Sequence, residues 1–412
     1  MTSKVGATSA YVWLWLPGAD EPVVCGRVTA DGPGADAVHR FVYGRSYRAR
    51  AQAIALAPHA LPLREGEQVT RRGLPGVLRD AAPDAWGRRV LAHRLRYSAE
   101  RADTDLTEID YLLLCGQAPG ALHFQTTPES YTAQAEGAAS LEQLQQAVAS
   151  VEGGEPLTPE LELALLHGTS IGGARPKALL RAGDGRRLIV KFSSSADIHP
   201  AVRLEALGLA LARAAGIETV RAERLQILGR DVLAIERFDV TDDAPPRHFI
   251  SALTALDLDE MEARYAGYPA LADFLRRYAE DALGACRELY RRLLFNILIG
   301  NTDDHARNHA IFWDGRFASL TPAYDICIIP RLGLEASQAM EVGGEGKRAT
   351  LKNAYSESGR FGIDAVTARA MAREIEDAIR AHWAAQCDQA SVPEALARQL
   401  FERTVLSPAV HY

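Results

Sequence analysis

The sequence predicts an α+β protein with a β-rich N-terminal half and a helical C-terminal half. In the first half, short runs of β-forming residues alternate with turn residues, as where PGAD joins Tyr11–Leu16 to Glu21–Thr29. In the second half, apolar residues recur with the helical period, as at Leu271, Phe274 and Tyr278. The 412 residues, 47% hydrophobic and 24% charged, have the composition of a globular protein with two or three domains.

Charge and cysteine content argue against several classes of protein. A net charge of −7 disfavours broad, sequence-independent binding of nucleic acid, which depends on an excess of Lys and Arg. The five cysteines are scattered and have no C-x-x-C spacing, so neither a disulfide framework nor a zinc site is predicted. The apolar run near the N-terminus is broken by Pro17 and Gly18, is too short to span a membrane, and lacks a signal-peptide cleavage pattern. We therefore expect a cytoplasmic protein without a membrane partner.

The first part of the chain is predicted to contain strands followed by a basic helix. After the N-terminal hairpin, a second β-rich patch covers Phe41–Leu56. The turn sequence LPGVLRDAAPDAWGRR then leads into a helix with Pro83 near its first turn and Trp86, Val90 and Leu91 on its apolar side. Arginines are concentrated in this region, at Arg71, Arg72, Arg79, Arg88, Arg89, Arg94 and Arg96. A solvated helix face explains such a cluster, and a contact with a partner or with DNA is the alternative.

A helical connector is predicted between residues 126 and 165. The composition shifts to Ala, Glu, Gln and Gly from Thr126 onward. Ser140 and Gln143 have the spacing of a capping box, which predicts that a helix begins there. GGEP at Gly153–Pro156 is the clearest linker in the chain, and a second short helix is predicted to begin at Thr158.

The glycine-rich segment GTSIGGARPKALL is the first candidate for ligand binding. Gly172 and Gly173 permit a backbone that approaches phosphate oxygens closely, and Lys177 adds a compact positive charge. Two β runs around a DG turn follow, and Lys191 lies inside the second run, where a kinase has its phosphate-pairing lysine. Glu205, in the apolar helix that comes next, is available to pair with such a lysine. The alternatives are an ordinary hairpin and an edge-strand lysine that discourages aggregation.

The stretch LFNILIGNTDDHARNHAIFWDGRFASLTPAYD, residues 294 to 325, is the second candidate and the centre of the prediction. Kinase-type phosphoryl transfer needs a carboxylate that receives the acceptor's proton, an asparagine five residues later and a further metal-binding aspartate. Asp303, Asn308 and Asp325 meet this description, and FWDGRF between them predicts a short hairpin. A polar loop that caps a buried helix is the alternative. A zinc site is disfavoured, since His305 and His309 have a ligand spacing but the insert between them lacks the glutamate of a zinc protease.

The run VLAIERFD, residues 232 to 239, is predicted to be a strand that passes into a connector. In a two-lobed kinase such a connector offers backbone hydrogen bonds to the adenine ring. Glu236, Arg237 and Phe238 are therefore candidate nucleotide contacts. A buried strand with an exposed charge pair is the competing interpretation.

Five motifs occur together in an order and spacing that resembles the HipA family of serine/threonine kinases, the toxins of bacterial toxin–antitoxin pairs. The motifs are SIGGARPKALL, LIVKF, ERFD, NILIGNTDDHARNHAIF and LTPAYD. LPGVLRDAAPDAWGRR and PGALHF resemble the N-terminal coupling region of that family, so the resemblance covers roughly the whole chain. It implies a two-lobed protein-kinase-like fold with an additional N-terminal subdomain, a β-rich N-terminal lobe and an α-helical C-terminal lobe. The implied domains are a coupling subdomain at 1–125, a helical connector at 126–165, an N-lobe at 166–250 and a C-lobe at 251–412.

The resemblance also implies a role for each matching residue. Asp303 would be the general base, Asn308 and Asp325 would hold Mg²⁺, and Tyr324 and His305 would line the nucleotide site. Asp304 is the neighbouring acid, and only the five-residue offset favours Asp303 over it. The residues expected to bind ATP in the N-lobe are Gly172, Gly173, Ala174, Arg175, Pro176 and Lys177 over the phosphates, Lys191 paired with them, and Glu236, Arg237 and Phe238 at the adenine.

The activity that the resemblance implies is ATP- and Mg²⁺-dependent phosphorylation of a protein. Family members phosphorylate aminoacyl-tRNA synthetases, which blocks translation and induces growth arrest or persistence. A DNA-binding antitoxin of the HipB type is the expected partner, with DNA contacted only through it. Ser170 matches the family's autophosphorylation serine, and a phosphate there is predicted to expel the loop and inactivate the enzyme.

Two other functions stay open on the sequence alone. A small-molecule kinase of the aminoglycoside-phosphotransferase type shares the two-lobed plan and the D-x-x-x-x-N loop, and would need an acidic acceptor pocket. A binding module or corepressor would act through antitoxin and DNA without catalysis. Nothing would then require Asp303, Asn308, Asp325 and Lys191 to occur together.

Overall fold

The computed structural model describes residues 6–32, 34, 37–70, 73–97, 106–115, 118–133, 139–166, 173–241 and 244–412. The chain divides into two compact units. The first comprises Met1–Ser195 and Leu225–Ile250, and the second comprises Ala196–Arg224 and Ser251–Tyr412. The chain therefore leaves the first unit after Ser195, returns to it at Leu225 and leaves it again after Ile250.

A five-stranded antiparallel sheet forms the N-terminal part of the first unit, in the order β4-β3-β2-β1-β5. Its strands are β1 (Ser9–Leu14), β2 (Val23–Asp31), β3 (Val38–Tyr43), β4 (Glu67–Val69) and β5 (Leu122–Gln125). The helices of this part are α1 (Arg45–Arg48), α2 (Gly76–Asp80), α3 (Ala85–Tyr97) and α4 (Glu108–Leu114). β1 and β2 form the predicted N-terminal hairpin, with Ser9 opposite Thr29 and Leu14 opposite Val23.

The β-rich patch predicted over Phe41–Leu56 is wrong beyond Tyr43, where β3 ends and the chain turns into α1. The Tyr47 hydroxyl donates to the carbonyl oxygen of Ile54 at 2.9 Å and accepts from the Ile54 N–H at 3.0 Å. Because this buried side chain satisfies backbone groups of the following segment, that segment needs no partner strand there.

A four-stranded sheet forms the other part of the first unit, in the order β6-β7-β9-β8. Its strands are β6 (Lys177–Arg181), β7 (Arg187–Phe192), β8 (Ala222–Ile227), within which the unit boundary falls, and β9 (Arg230–Glu236). The helices of the predicted connector are α5 (Leu141–Gly153) and α6 (Pro159–Leu166). α5 begins with the predicted capping box of Ser140 and Gln143, and the predicted DG turn joins β6 to β7 with a φ of +90° at Gly185.

One hydrophobic cluster joins α3 and α5 to this sheet. Its members include Trp86 and Val90 of α3, Val148 of α5, and Val190 and Phe192 of β7, each at most 2% exposed. The face of α3 that the sequence predicts to be apolar is therefore buried. β7, the strand that carries Lys191, therefore shares a core with α3.

The second unit is mostly helical. Its helices are α7 (Ala201–Ala214), α8 (Ala252–Ala255), α9 (Tyr268–Tyr278), α10 (Ala282–Ile299), α11 (Leu351–Ser356), α12 (Ala365–Gln389) and α13 (Glu394–Arg403). Its strands are β11 (Ala310–Trp313) and β12 (Ala318–Leu320), which pair as the predicted hairpin, and the unit boundary falls within β10 (Phe249–Ser251). Short 3₁₀ turns lie at Ala263–Tyr265, Ala306–Asn308, Ser358–Phe361 and Pro408–His411.

The described chain has the predicted α+β class. The two larger sheets belong mainly to the first unit, whereas the long helices α10 and α12 belong to the second. Within the described ranges, no helix combines the length and the apolar character that a membrane crossing requires.

Candidate active site

The loop between α10 and β11 carries the predicted base and one predicted metal ligand. α10 ends at Ile299 and is capped by Gly300, whose φ of +73° lets the chain leave the helix through the left-handed region. The Asp303 carbonyl oxygen then accepts from the His305 N–H at 2.9 Å and from the Asn308 side-chain nitrogen at 3.0 Å. A hydrogen bond within the loop thus joins the two residues, Asp303 and Asn308, whose five-residue spacing the sequence analysis singled out. Because the Asn308 nitrogen is used in this way, its amide oxygen is the atom left to bind a ligand.

Asp304, next to the predicted base, is held in a buried polar network and is 1% exposed. Its carboxylate accepts from the Tyr268 hydroxyl and lies 2.7 Å from His309 Nε2. Asn296 of α10 donates to the Tyr268 oxygen at 3.1 Å, and Asn301 donates to Asn296 at 3.1 Å. Burial and the negative charge of Asp304 raise the pKa of Tyr268 well above its ordinary value, so the hydroxyl stays a donor.

The two adjacent acids therefore differ in what their carboxylates can do. Both oxygens of Asp304 are hydrogen-bonded inside the protein, whereas Asp303 is exposed. An acceptor hydroxyl would have to displace Tyr268 or His309 to reach the Asp304 carboxylate. Asp303 stays the predicted base, and the hydrogen bonds of Asp304 hold the loop beside it.

Asp325, the second predicted metal ligand, is tied to the same loop through its neighbour. The Tyr324 hydroxyl donates to the Arg307 carbonyl oxygen at 2.8 Å, so the residue before Asp325 is bonded to the residue before Asn308. Asp325 has a φ of +56°, which is uncommon for a residue with a side chain. Such strained conformations persist where the surroundings enforce them, and they cluster at functional sites. His305, the other residue predicted to line the nucleotide site, is half-buried and begins the 3₁₀ turn.

Contacts on both sides of Asp325 hold its segment in place. Before it, the Ala323 N–H donates to the Glu218 carbonyl oxygen at 2.8 Å, and the Ala323 carbonyl oxygen accepts from the Val220 N–H at 3.0 Å. After it, the Ile326 carbonyl oxygen lies so near Gly208 of α7 that a Cβ there would come well inside 3.0 Å. The close approach of α7 to this backbone requires glycine.

The glycine-rich segment is described from Gly173 onward, and Ser170 and Gly172 lie outside the described residues. Gly173 has a φ of +111°, a conformation that glycine adopts readily and other residues rarely do. The described residues of the predicted phosphate loop are Gly173, which is half-buried, Ala174 and Arg175, which are exposed, and Pro176 and Lys177, which are buried.

Lys177 and Lys191 are directly opposite each other in the antiparallel pairing of β6 and β7, so both side chains leave the same face of the sheet. Lys177 is 3% exposed and Lys191 is half-buried. The strand pairing thus brings the two lysines of the predicted phosphate site to one face of the sheet.

The predicted adenine segment begins at Glu236, the last residue of β9, which is half-buried. The Arg237 guanidinium forms two hydrogen bonds with the Asp239 carboxylate, at 3.0 and 2.6 Å, and both side chains are buried. Burial by itself raises the pKa of Asp239, but the charge and hydrogen bonds of Arg237 lower it overall, so Asp239 is ionised. The Phe238 ring packs against the Phe249 ring, with 5.6 Å between the ring centroids. The Arg237 side chain therefore has a structural partner within the first unit.

A cavity of about 930 Å³ in the first unit does not coincide with the lysine pair. Its lining includes Trp13, Tyr131 and Arg237 but neither Lys177 nor Lys191. Among the described residues, no three His, Cys, Asp or Glu side chains are grouped to hold a metal ion. The predicted magnesium ligands are a different set, because one of them is an asparagine.

Sequence reasoning did not identify several residues that hold the candidate site. Tyr268 received no role, and His309 was considered only as a zinc ligand, yet both bind Asp304. Asp84 also received no role, yet its carboxylate accepts from the Gly173 N–H. No local signal marks Tyr268 or Asp84, because their partners lie 36 and 89 residues away along the chain.

The sheets and helices of the described residues define an α+β protein. A model of the HipA-like C-terminal domain matches residues 169–383, and a model of the HipA N-terminal domain matches residues 22–125. The first match covers more than half of the chain. The chain belongs to the HipA family, which confirms the resemblance seen in its motifs.

Two curated relatives are named as putative kinases. The chain is 28% identical over 248 residues to putative kinase Y4mE of Sinorhizobium fredii, an alignment that covers 50% of this chain and 57% of the relative. It is 29% identical over 99 residues to a putative kinase of Haemophilus influenzae, covering 22% of this chain and 29% of the relative. The chain thus spans little more than half the length of the first relative and less than a third of the second.

A solved structure with a similar fold is HipA of Shewanella oneidensis MR-1, determined in a complex with HipB and its operator DNA. The match has a TM-score of 0.69 and covers 97% of this chain and 96% of that one. At 16% sequence identity, the match shows a shared fold. It confirms the predicted fold class.

Proposed function

We propose that the protein is an ATP- and Mg²⁺-dependent serine/threonine protein kinase and the toxin of a HipA/HipB-type pair. The observation that carries this proposal is the loop in which Asp303 is exposed while the Asn308 side-chain nitrogen binds the Asp303 carbonyl oxygen. One turn thereby presents a carboxylate for an acceptor hydroxyl and an amide oxygen for a metal ion. Membership of the HipA family supports the same activity.

Asp303 acts in this proposal as the base that orients the acceptor hydroxyl and receives its proton. Phosphoryl transfer demands little covalent chemistry from the protein, so positioning and neutralisation of charge supply most of the rate enhancement. The buried network around Asp304 serves this requirement, because it holds the backbone beside the base.

Asn308 and Asp325 are the proposed ligands of Mg²⁺, which prefers oxygen donors. Their residue types fit the ion, and the Tyr324 bond to Arg307 ties the two ligand-bearing segments together. When bound, Mg²⁺ neutralises the charge that develops on the phosphate oxygens.

The other nucleotide contacts stay predictions of the same proposal. Lys177 and Lys191 pair with the phosphates under the loop from Gly172 to Lys177. The segment from Glu236 to Phe238 holds the adenine. Tyr324 and His305 line the site, a role that the Tyr324 bond to the catalytic loop supports. The division into coupling subdomain, connector, N-lobe and C-lobe is proposed on the same grounds.

Autophosphorylation of Ser170 is proposed as the off switch. A phosphoserine adds about two negative charges, and the like charge of the metal-binding acids and ATP disfavours it near the site. The loop is then expelled and nucleotide affinity falls. The affinity of the phosphorylated protein for Mg-ATP, compared with that of Ser170→Ala, measures this effect. Equal affinities would contradict the switch.

The proposed partners are a protein substrate and an antitoxin. The substrate is a translation protein such as an aminoacyl-tRNA synthetase, as the family resemblance implies. The antitoxin is a HipB-like DNA-binding protein, through which DNA is contacted indirectly. The solved Shewanella HipA in complex with HipB and operator DNA supports this second expectation.

Phosphopeptide mapping tests the proposal as a whole. A cytoplasmic lysate is incubated with Mg-ATP and either the purified protein or Asp303→Asn, and newly phosphorylated serines and threonines are mapped. We expect a translation protein to be labelled by the wild type alone. ATP consumed on a soluble acceptor without protein labelling would indicate a small-molecule kinase instead. Equal growth arrest on expression of both variants would indicate a function without catalysis.

A further inference from the structure

The residues at the start of α3 bind both ends of the segment from Gly173 to Lys177. The Asp84 carboxylate accepts from the Gly173 N–H, and the Trp86 N–H donates to the Gly173 carbonyl oxygen at 3.4 Å. The Trp86 indole nitrogen donates to the Lys177 carbonyl oxygen at 2.9 Å. These partners are 89 and 91 residues apart in the chain, so the contacts are set by the fold.

These bonds control the one residue of the segment with a left-handed backbone. Both the N–H and the carbonyl oxygen of Gly173 are bound by residues of the α3 region, so its φ of +111° is imposed from outside the segment. The Lys177 ammonium lies well inside 3.0 Å of where a Cβ on Gly173 would be. The ammonium therefore occupies space that only a glycine at position 173 leaves open.

The start of α3 is itself firmly placed. Trp86 is 2% exposed and belongs to the core cluster that includes Val190 and Phe192 of β7. Further along α3, the Arg88 guanidinium forms two hydrogen bonds to the Glu108 carboxylate, at 2.6 and 2.7 Å. A helix held on both sides in this way is a rigid support for the segment.

We propose that Asp84 and Trp86 are positioning residues for the phosphates of ATP. They act through Gly173 and Lys177, by fixing the end of the glycine-rich loop and the place of the Lys177 ammonium. This inference rests on the proposed kinase function and adds to it a part for the N-terminal region of the chain. A protein that binds near α3 and shifts it would change nucleotide affinity without touching the nucleotide.

The test compares Asp84→Ala, Asp84→Asn and Trp86→Phe in the full-length protein, with Val90→Ala as the matched control. We expect the Kd for Mg-ATP, measured by calorimetry, to rise about tenfold in Asp84→Ala and Trp86→Phe, because each loses a hydrogen bond to the segment. The kcat at saturating ATP should stay within about twofold, since the catalytic loop is untouched. Asp84→Asn retains an acceptor oxygen and should bind Mg-ATP nearly as the wild type does.

Val90 lies in the same core as Trp86, on the same helix, and its side chain has no polar group. Val90→Ala should therefore lower the Tm and leave the Kd for Mg-ATP unchanged. If it weakens binding as much as Trp86→Phe does, α3 contributes stability alone and the inference is wrong. Wild-type affinity in both Asp84→Ala and Trp86→Phe would overturn it as well.

Hydrogen exchange without nucleotide separates this inference from the proposed function. The amides of residues 173–180 should exchange faster in Asp84→Ala than in the wild type, and Asp84→Asn should restore slow exchange. Should the wild type bind no nucleotide at all, the proposed function fails. The exchange rates would still show whether α3 holds the segment, and unchanged rates would refute that.

Discussion

The predicted catalytic loop and the predicted phosphate segment are held in place by different means. The loop at residues 301–309 is anchored by side chains, because Asp304 binds Tyr268 and His309 in a buried network. The segment at residues 173–177 is anchored through its backbone, which is hydrogen-bonded to Asp84 and Trp86. The side-chain network around Asp304 is buried, whereas Ala174 and Arg175 of the segment are exposed.

This difference suits what the two regions are proposed to do. Removing one member of a buried network leaves its partners unsatisfied, so the network tolerates little change. A backbone segment held by a few hydrogen bonds opens at a smaller free-energy cost. A base and a metal ligand must keep a fixed geometry, whereas a phosphate loop has to admit and release a nucleotide.

The largest expected effect is on the exposed side of the catalytic loop. Asp303→Asn should lower kcat by about a thousandfold, because the acceptor hydroxyl loses its base. The Tm should stay close to that of the wild type, since Asp303 is exposed. Transfer of labelled phosphate from ATP to the protein substrate measures the first quantity and thermal unfolding the second. Activity within about tenfold of the wild type would remove Asp303 from the role of base.

The buried side of the same loop should show the opposite pattern. Asp304→Ala leaves the Tyr268 hydroxyl and His309 without their acceptor and should lower the free energy of unfolding by about 3 kcal/mol. Urea denaturation measures this change. Asp303→Ala is the matched control, with an expected change of about 0.5 kcal/mol or less. Equal effects of the two substitutions would mean that the network does not anchor the loop.

A smaller effect is expected where α7 approaches the segment after Asp325. Gly208→Ala would place a methyl group against the Ile326 carbonyl oxygen. Overpacking costs about 1–3 kcal/mol and alanine regains about 1 kcal/mol of helix propensity, so a net loss of up to about 2 kcal/mol is expected. Mg²⁺ affinity should fall with it, because Asp325 shifts. Gly359→Ala, which meets open space in the same unit, should leave stability and Mg²⁺ affinity unchanged.

The smallest effect concerns the first unit and pH. Burial and the positive charge of Arg237 lower the pKa of His123 from 6.5 to about 4. As pH falls, His123 is therefore protonated in the unfolded chain before it is protonated in the folded one. The folded state loses stability as pH falls from about 6.5 to about 4. We expect the Tm to drop a few degrees less over this range in His123→Gln than in the wild type. Parallel curves for the two proteins would show that His123 does not titrate in this way.

Some features were predictable because their causes lie close together in the chain. The capping box of Ser140 and Gln143 and the β6–β7 hairpin each depend on neighbouring residues, and the structure contains both. Asp303 and Asn308, five residues apart, are likewise joined by a hydrogen bond inside the loop. The strand predicted beyond Tyr43 failed for a different reason, since residue preferences do not reveal that a tyrosine hydroxyl will satisfy the backbone instead.

The sequence by itself determined the fold class, the family and the candidate site residues, because turn residues, periodicity and motif spacing are local properties of a chain. Only the tertiary structure decided that Asp304 is buried while Asp303 is exposed, and that Asp84 and Trp86 hold the phosphate segment. Burial and hydrogen bonding at these positions depend on residues 36 to 91 places away. Contacts over such separations follow no period that can be read along the chain, and only packing brings the partners together.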